Sequence, residues 1–310
     1  MEHLIDRRLL FLATSTNLLG GLLGAAMTVV GCITTVKLAL NQESLSAPQL
    51  GLILLGMPMA YLATRAKLTQ STKNFLKSSE GNTKVLLLPI LASLLITLYK
   101  KFVLTTPEAF KSYLRTISEG SLIEWGSFLL LISAAILCFL TARLWSSSIP
   151  RLVLFSFAFG LFLIGMEEMS WGQMIFNWDI PSEIAKHNIQ EESTIHNLWF
   201  IHDHSWTIAA LVISITLILS ISGVWIRRQN SIKINSIANI ALPIWPTSSY
   251  FLTSALIYWC VIAMKSGIEI QYMHTMEQEI GELFFYAGIF IHSVYLYLLP
   301  INRRNSYISS

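Results

Sequence analysis

Long apolar runs separated by short polar segments make up most of this chain. A run of about 18 or more apolar residues is long enough to cross a bilayer as a helix. The predicted membrane spans are residues 17–40, 48–64, 84–104, 122–144, 152–176, 205–226, 247–265 and 282–300. The pattern therefore predicts an all-α integral membrane protein with about eight transmembrane helices. With no internal repeat or long linker, a single polytopic membrane domain over 1–310 is predicted.

The composition supports a membrane protein and excludes some other classes. Of the 310 residues, 54% are hydrophobic and 13% are charged, and the mean hydropathy is +0.58. That charged share is about half of the roughly 25% found in soluble domains. The net charge of +3 is spread over short clusters, so we predict no nucleic-acid partner and expect membrane lipid instead. Cys32, Cys138 and Cys260 lie in apolar runs and read as small buried side chains.

The distribution of charged residues predicts an orientation. With both termini in the cytoplasm, most of the 21 Lys and Arg residues fall on the cytoplasmic side and most of the 18 acidic residues fall on the other side. Lys100, Lys101, Lys111 and Arg115 are exceptions to this pattern. The predicted location is the bacterial inner (plasma) membrane, with the polar residues facing the extracytoplasmic side.

Acidic side chains collect near that predicted outer face. Glu167 and Glu168, in "GMEEMSWGQ", lie side by side inside the fifth span, where paired carboxylates cost several kcal/mol unless they are compensated. We expect one of them to keep a proton, or a bound cation to compensate both. Glu124 begins the fourth span, and Glu279 and Glu282 share a helix face at the start of the eighth. A His/Asp/Glu-rich loop is predicted over 177–204.

These motifs resemble a family of uncharacterised bacterial multi-pass membrane proteins. The family has a Glu-Glu-x-Ser-Trp-Gly-Gln run, a downstream His-Asn motif and a Glu-Trp pair one helix earlier, matching "EEMSWGQ", "HNIQEESTIHN" and "EGSLIEW" here. The likeness covers residues 119–197, and it departs from the family at Met174 and Glu191. By resemblance the motif positions are Glu119, Glu124, Trp125, Glu167, Glu168, Ser170, Trp171, Gly172, Gln173, Asn188, Gln190, Glu192, His196 and Asn197.

Three function classes fit this inventory. The first is a metal-dependent membrane hydrolase acting on a lipid-like substrate, with zinc or calcium as its metal. Its catalytic residues would be Glu124, Glu167, Glu168, Gln173 and Asn197, and its metal ligands would be His196, His202, His204, His274, Glu279 and Glu282. The second is a proton- or cation-coupled transporter, in which buried carboxylates carry the ion. The third is a structural or assembly subunit, in which the polar cluster only fixes helix packing.

Overall fold

The computed structural model describes the chain in several stretches. These are residues 79–118, 121–176, 178–179, 194, 199–229, 236–270 and 273–306. The predicted spans 17–40 and 48–64 lie outside the described residues. The chain divides into two compact units, one made of Met1–Lys84 with Arg304–Ser310 and the other of Val85–Arg303. The candidate site described below lies in the second unit.

The described residues form helices and contain no strand. Short 3₁₀ turns lie at Ser170–Gly172, Trp245–Thr247 and Thr275–Glu277. The helices are α1 (Ser79–Phe102), α2 (Pro107–Ile117), α3 (Leu122–Leu144), α4 (Ser148–Glu168), α5 (Gln173–Phe176), α6 (Trp199–Gln229), α7 (Ile237–Ala241), α8 (Ser248–Lys265) and α9 (Gln278–Ser306).

Six segments of the described chain are long and apolar enough to cross a membrane, and they correspond to the last six predicted spans. They are Thr83–Phe102, Pro107–Leu144, Ser148–Glu168, Ser205–Gly223, Ile237–Lys265 and Thr275–Pro300. An all-helical, multi-pass membrane protein is therefore supported. The total of eight spans and the cytoplasmic placement of the termini stay predictions.

The spans pack through small side chains. α3 packs along α4, and α6 packs along α8. On α3 the buried positions include Ala134, Ala135, Cys138 and Ala142, which let the neighbouring helix approach closely. On α9, Gly288 lies so near the ring of Phe251 on α8 that a Cβ atom there would be 2.6 Å from Phe251 Cε1. Large aliphatic side chains cover the outside of the unit, as expected for helices that face lipid.

The described helices differ in places from the predicted segments. α6 begins at Trp199, so the last residues of the predicted loop 177–204 are helical. α2 was not predicted, because its 11 residues are too few to span a bilayer as an apolar run. Local signals for α2 are nevertheless present. Thr106 caps the helix by accepting from the Ala109 amide, and Pro107 occupies its first position.

Candidate functional site

The Glu167–Glu168 pair marks the end of a helix and not its interior. α4 ends at Glu168, and after Met169 three consecutive residues carry positive φ angles: 45° at Ser170, 54° at Trp171 and 92° at Gly172. The predicted span 152–176 is therefore wrong at its C-terminal end, since α4 stops earlier. Glycine tolerates a left-handed backbone, but Ser170 and bulky Trp171 adopt it at a cost of order 1–3 kcal/mol each. Such strain persists only where surrounding contacts impose it.

The two adjacent carboxylates have different surroundings. Glu167 is half-buried and accepts a hydrogen bond from the indole N–H of Trp171, four residues later. Glu168 is buried, and its Oε1 accepts from the phenol of Tyr286 on α9 at 3.0 Å. The predicted pair therefore separates. Glu167 holds the left-handed turn, and Glu168 faces the neighbouring helices.

Carboxylates from two other helices interact electrostatically with Glu168. It lies within electrostatic range of Glu282, Glu279 and Glu124. Glu124 is in the first turn of α3, whereas Glu279 and Glu282 are in the first turns of α9. The four acidic residues thus come from three helices, α3, α4 and α9.

Two tyrosines complete the arrangement. The phenol of Tyr258 on α8 donates a hydrogen bond to Glu282 Oε1, and Tyr286 donates to Glu168 as described above. The two phenols also lie within electrostatic range of each other. Neither tyrosine was among the predicted site residues, although Tyr286 follows Glu282 at a spacing of four, which places both on one helix face. We call the resulting group the carboxylate–tyrosine cluster; its members are Glu124, Glu168, Glu279, Glu282, Tyr258 and Tyr286.

The other predicted site residues lie in different parts of the chain. Gln173 begins α5 directly after the left-handed turn. Nδ1 of His274 accepts a hydrogen bond from the Met276 amide at 3.2 Å, which caps the 3₁₀ turn before α9. His202 and His204 lie on the first turns of α6, and their side chains are outside the described part. His196 and Asn197 lie outside the described residues.

A second buried polar group lies beside the start of α9. Lys100 Nζ donates to both carboxylate oxygens of Glu277, at 2.7 and 2.8 Å, and the phenol of Tyr113 donates to Glu277 Oε1 at 3.3 Å. Lys100 is an exception to the predicted charge distribution, and a buried ion pair gives a physical reason for a lysine there. Glu279 and Glu282 were predicted site residues, but Glu277 was not, because its partner lies in a distant part of the chain.

The described donors do not form a metal centre. Among the residues that the structure describes, no group of three or more His, Cys, Asp or Glu side chains is placed so that it could hold a metal ion. The predicted zinc or calcium site, which also draws on His196, His202 and His204, stays a prediction. In comparisons with known proteins, no family model, no curated protein and no solved structure matches the chain.

Proposed function

We propose that the carboxylate–tyrosine cluster reversibly binds a proton or a small cation, and that the protein is a proton- or cation-coupled membrane transporter. The observation that carries this proposal is the position of Glu168. It is a buried carboxyl at the C-terminus of α4, within electrostatic range of three other carboxylates. Negative charges crowded in a buried site repel each other and lose hydration, so a bound positive charge lowers their free energy.

Glu168 differs from Glu124 and Glu279 in lying at the C-terminus of its helix. Glu124 and Glu279 lie in the first turns of α3 and α9, where the positive end of the helix dipole favours a negative charge by about 0.3–1 kcal/mol. Glu168 lies at the opposite kind of end, where the same dipole disfavours a negative charge and favours a cation. The proton or cation therefore binds at Glu168, while the other carboxylates add attraction.

The tyrosines make this binding reversible. Each phenol donates to one carboxylate, Tyr286 to Glu168 and Tyr258 to Glu282. A carboxylate that already accepts one hydrogen bond is partly stabilised without its proton, so it can release the bound ion at a lower cost. The hydrogen bond from Tyr286 therefore favours release and rebinding of the ion over permanent protonation of Glu168. Buried carboxyls with such partners are typical of ion pathways in membrane proteins.

A carbodiimide reaction tests the proposal directly. An apolar carbodiimide adds to protonated carboxyl groups in apolar surroundings and leaves a stable N-acylurea that peptide mass spectrometry can locate. We expect modification at Glu168 in detergent-solubilised protein, decreasing as pH rises or as Na⁺ or Ca²⁺ is added. Glu108, an exposed acid on α2, is the internal control and should remain unmodified. Absence of modification at Glu168 at every pH, with no effect of any cation, would contradict the proposal.

Substitution of Glu168 separates its hydrogen bond from its charge. Glu168→Gln keeps an oxygen that can accept from Tyr286, so its free energy of unfolding should stay within about 1 kcal/mol of wild type. Glu168→Ala leaves that buried phenol without its acceptor and should cost about 1–3 kcal/mol. Thermal unfolding in detergent measures both. Equal stability of all three proteins would mean that the contact with Tyr286 does not contribute.

The metal-dependent hydrolase stays a separate prediction with its own measurement. It requires ligands from His196, His202 or His204, together with stoichiometric metal. Elemental analysis of purified protein tests it, because one zinc or calcium ion per chain that is lost on His196→Ala substitution would favour the hydrolase. The structural-subunit alternative predicts neither bound metal nor carbodiimide modification that responds to cations.

The proposed orientation places the cluster at the extracytoplasmic side of a bacterial inner membrane. A membrane-impermeant thiol reagent should label Gln190→Cys in intact cells, because position 190 lies in the predicted outer loop. It should label Phe75→Cys only after the cells are permeabilised. The three native cysteines, all in apolar runs, can be replaced beforehand to remove background. The reverse labelling pattern would place the cluster on the cytoplasmic side.

A further inference from the structure

We propose that Lys100 is a positioning residue for the carboxylate–tyrosine cluster, acting through Glu277 on the start of α9. This inference rests on the function proposed for the cluster. Lys100 and Glu277 are both buried, and the lysine ammonium contacts both oxygens of the carboxylate at 2.7 and 2.8 Å. The ion pair therefore fixes the Glu277 side chain in one place. Tyr113 adds a third contact, from α2.

The backbone between Glu277 and the cluster is short and hydrogen-bonded. Glu277 ends the 3₁₀ turn Thr275–Glu277, and α9 begins at the next residue. The Glu277 amide donates to the His274 carbonyl at 3.0 Å, and the His274 ring caps the same turn. Glu279 lies only two residues further along, in the first turn of α9. A shift of Glu277 is therefore transmitted to Glu279, and through the rigid helix to Glu282.

The sequence provides a matched control beside Lys100. Lys101 is adjacent in α1 and has the same charge, but its side chain is exposed and lies over the ring of Phe102 at 5.3 Å. Any general effect of removing a positive charge from this end of α1 should appear equally in Lys101→Gln. An effect specific to the Glu277 contact should appear only in Lys100→Gln. Lys100→Arg keeps the charge and the ability to pair.

The experiment measures the reactivity of Glu168 in folded protein kept on ice. Carbodiimide modification of Glu168 is followed against pH in wild type and in the Lys100→Gln, Lys100→Arg and Lys101→Gln variants. We expect Lys100→Gln to change the modification rate by roughly two- to thirtyfold and to shift its pH midpoint. Lys100→Arg should retain most of the wild-type behaviour, and Lys101→Gln should match wild type. A lysine that only held α1 in place would leave the reactivity of the folded protein unchanged.

A second readout separates this inference from the proposed function. Hydrogen–deuterium exchange over residues 275–286 reports the order of the start of α9 whether or not Glu168 reacts. Faster exchange there in Lys100→Gln, but not in Lys101→Gln, supports positioning even if wild-type Glu168 is never modified, a result that would overturn the proposed function alone. Should Lys100→Gln fail to fold, Tyr113→Phe removes one Glu277 contact and should change both readouts in the same direction, but less. Unchanged reactivity and exchange in the folded variant, or equal changes in Lys101→Gln, would overturn the inference.

Discussion

Replacing Lys100 with Gln is expected to lower the free energy of unfolding by about 3–5 kcal/mol, the usual cost of breaking a buried ion pair by removing one partner. The loss is large because Glu277 is only 5% exposed and would be left buried with one remaining phenol donor, Tyr113. Thermal unfolding in detergent is the measurement.

Two further variants identify the source of that loss. Lys101→Gln removes an exposed charge and should change the free energy of unfolding by less than about 0.5 kcal/mol. The double variant Lys100→Gln/Glu277→Gln removes both charges and leaves side chains that can bond each other, so it should recover much of the stability. A double variant less stable than Lys100→Gln would show that the charge of Glu277 contributes through another contact.

Gly288→Val is expected to lower the free energy of unfolding by about 3 kcal/mol, the upper end of the typical cost of overpacking. The added Cβ would lie 2.6 Å from Cε1 and 3.0 Å from Cζ of Phe251, whose side chain is fully buried. The ring has little room to move in a packed helix interface, so α8 and α9 would have to separate. Thermal unfolding in detergent again measures the change.

Gly160→Val is the matched control for that prediction. Gly160 is also a mid-helix glycine, but a Cβ built there meets nothing within 4 Å. The same substitution should therefore be close to neutral, since valine is a slightly better helix former than glycine. Phe251→Ala combined with Gly288→Val should cost less than the sum of the two single changes, because the truncation makes space for the new side chain. Simple additivity would mean that the two residues do not compete for space.

The helical spans were predictable because each is a continuous run of apolar residues in the sequence. α3, at Leu122–Leu144, coincides with the predicted span 122–144, since an uninterrupted apolar run has only one way to satisfy its backbone in lipid. The end of α4 was not predictable in this way. The apolar run continues past Glu168, and the left-handed turn involves Ser170 and Trp171, residue types that rarely adopt that conformation.

The candidate site was also predictable only in part. Glu124, Glu168, Glu279 and Glu282 could be singled out because a carboxyl in an apolar run is conspicuous in any sequence. Their hydrogen-bond donors could not, because Tyr258 and Tyr286 are ordinary residues of membrane helices until the fold brings them to a carboxylate. The Lys100–Glu277 ion pair joins residues far apart in the chain, and only the tertiary structure relates them.

Because α4 ends at Glu168, the membrane voltage should have little effect on ion binding at that residue. α4 has 21 residues and is about 31 Å long, close to the roughly 30 Å thickness of a hydrocarbon layer, so a helix that crosses the layer places Glu168 at its boundary. An ion that reaches Glu168 from the adjacent solution crosses almost none of the electric field, whereas a full crossing is worth about 2.3 kcal/mol per charge at 100 mV. In the proposed transporter, occupancy of the cluster should then be insensitive to voltage, and any voltage dependence should arise when charge later crosses the rest of the hydrocarbon layer.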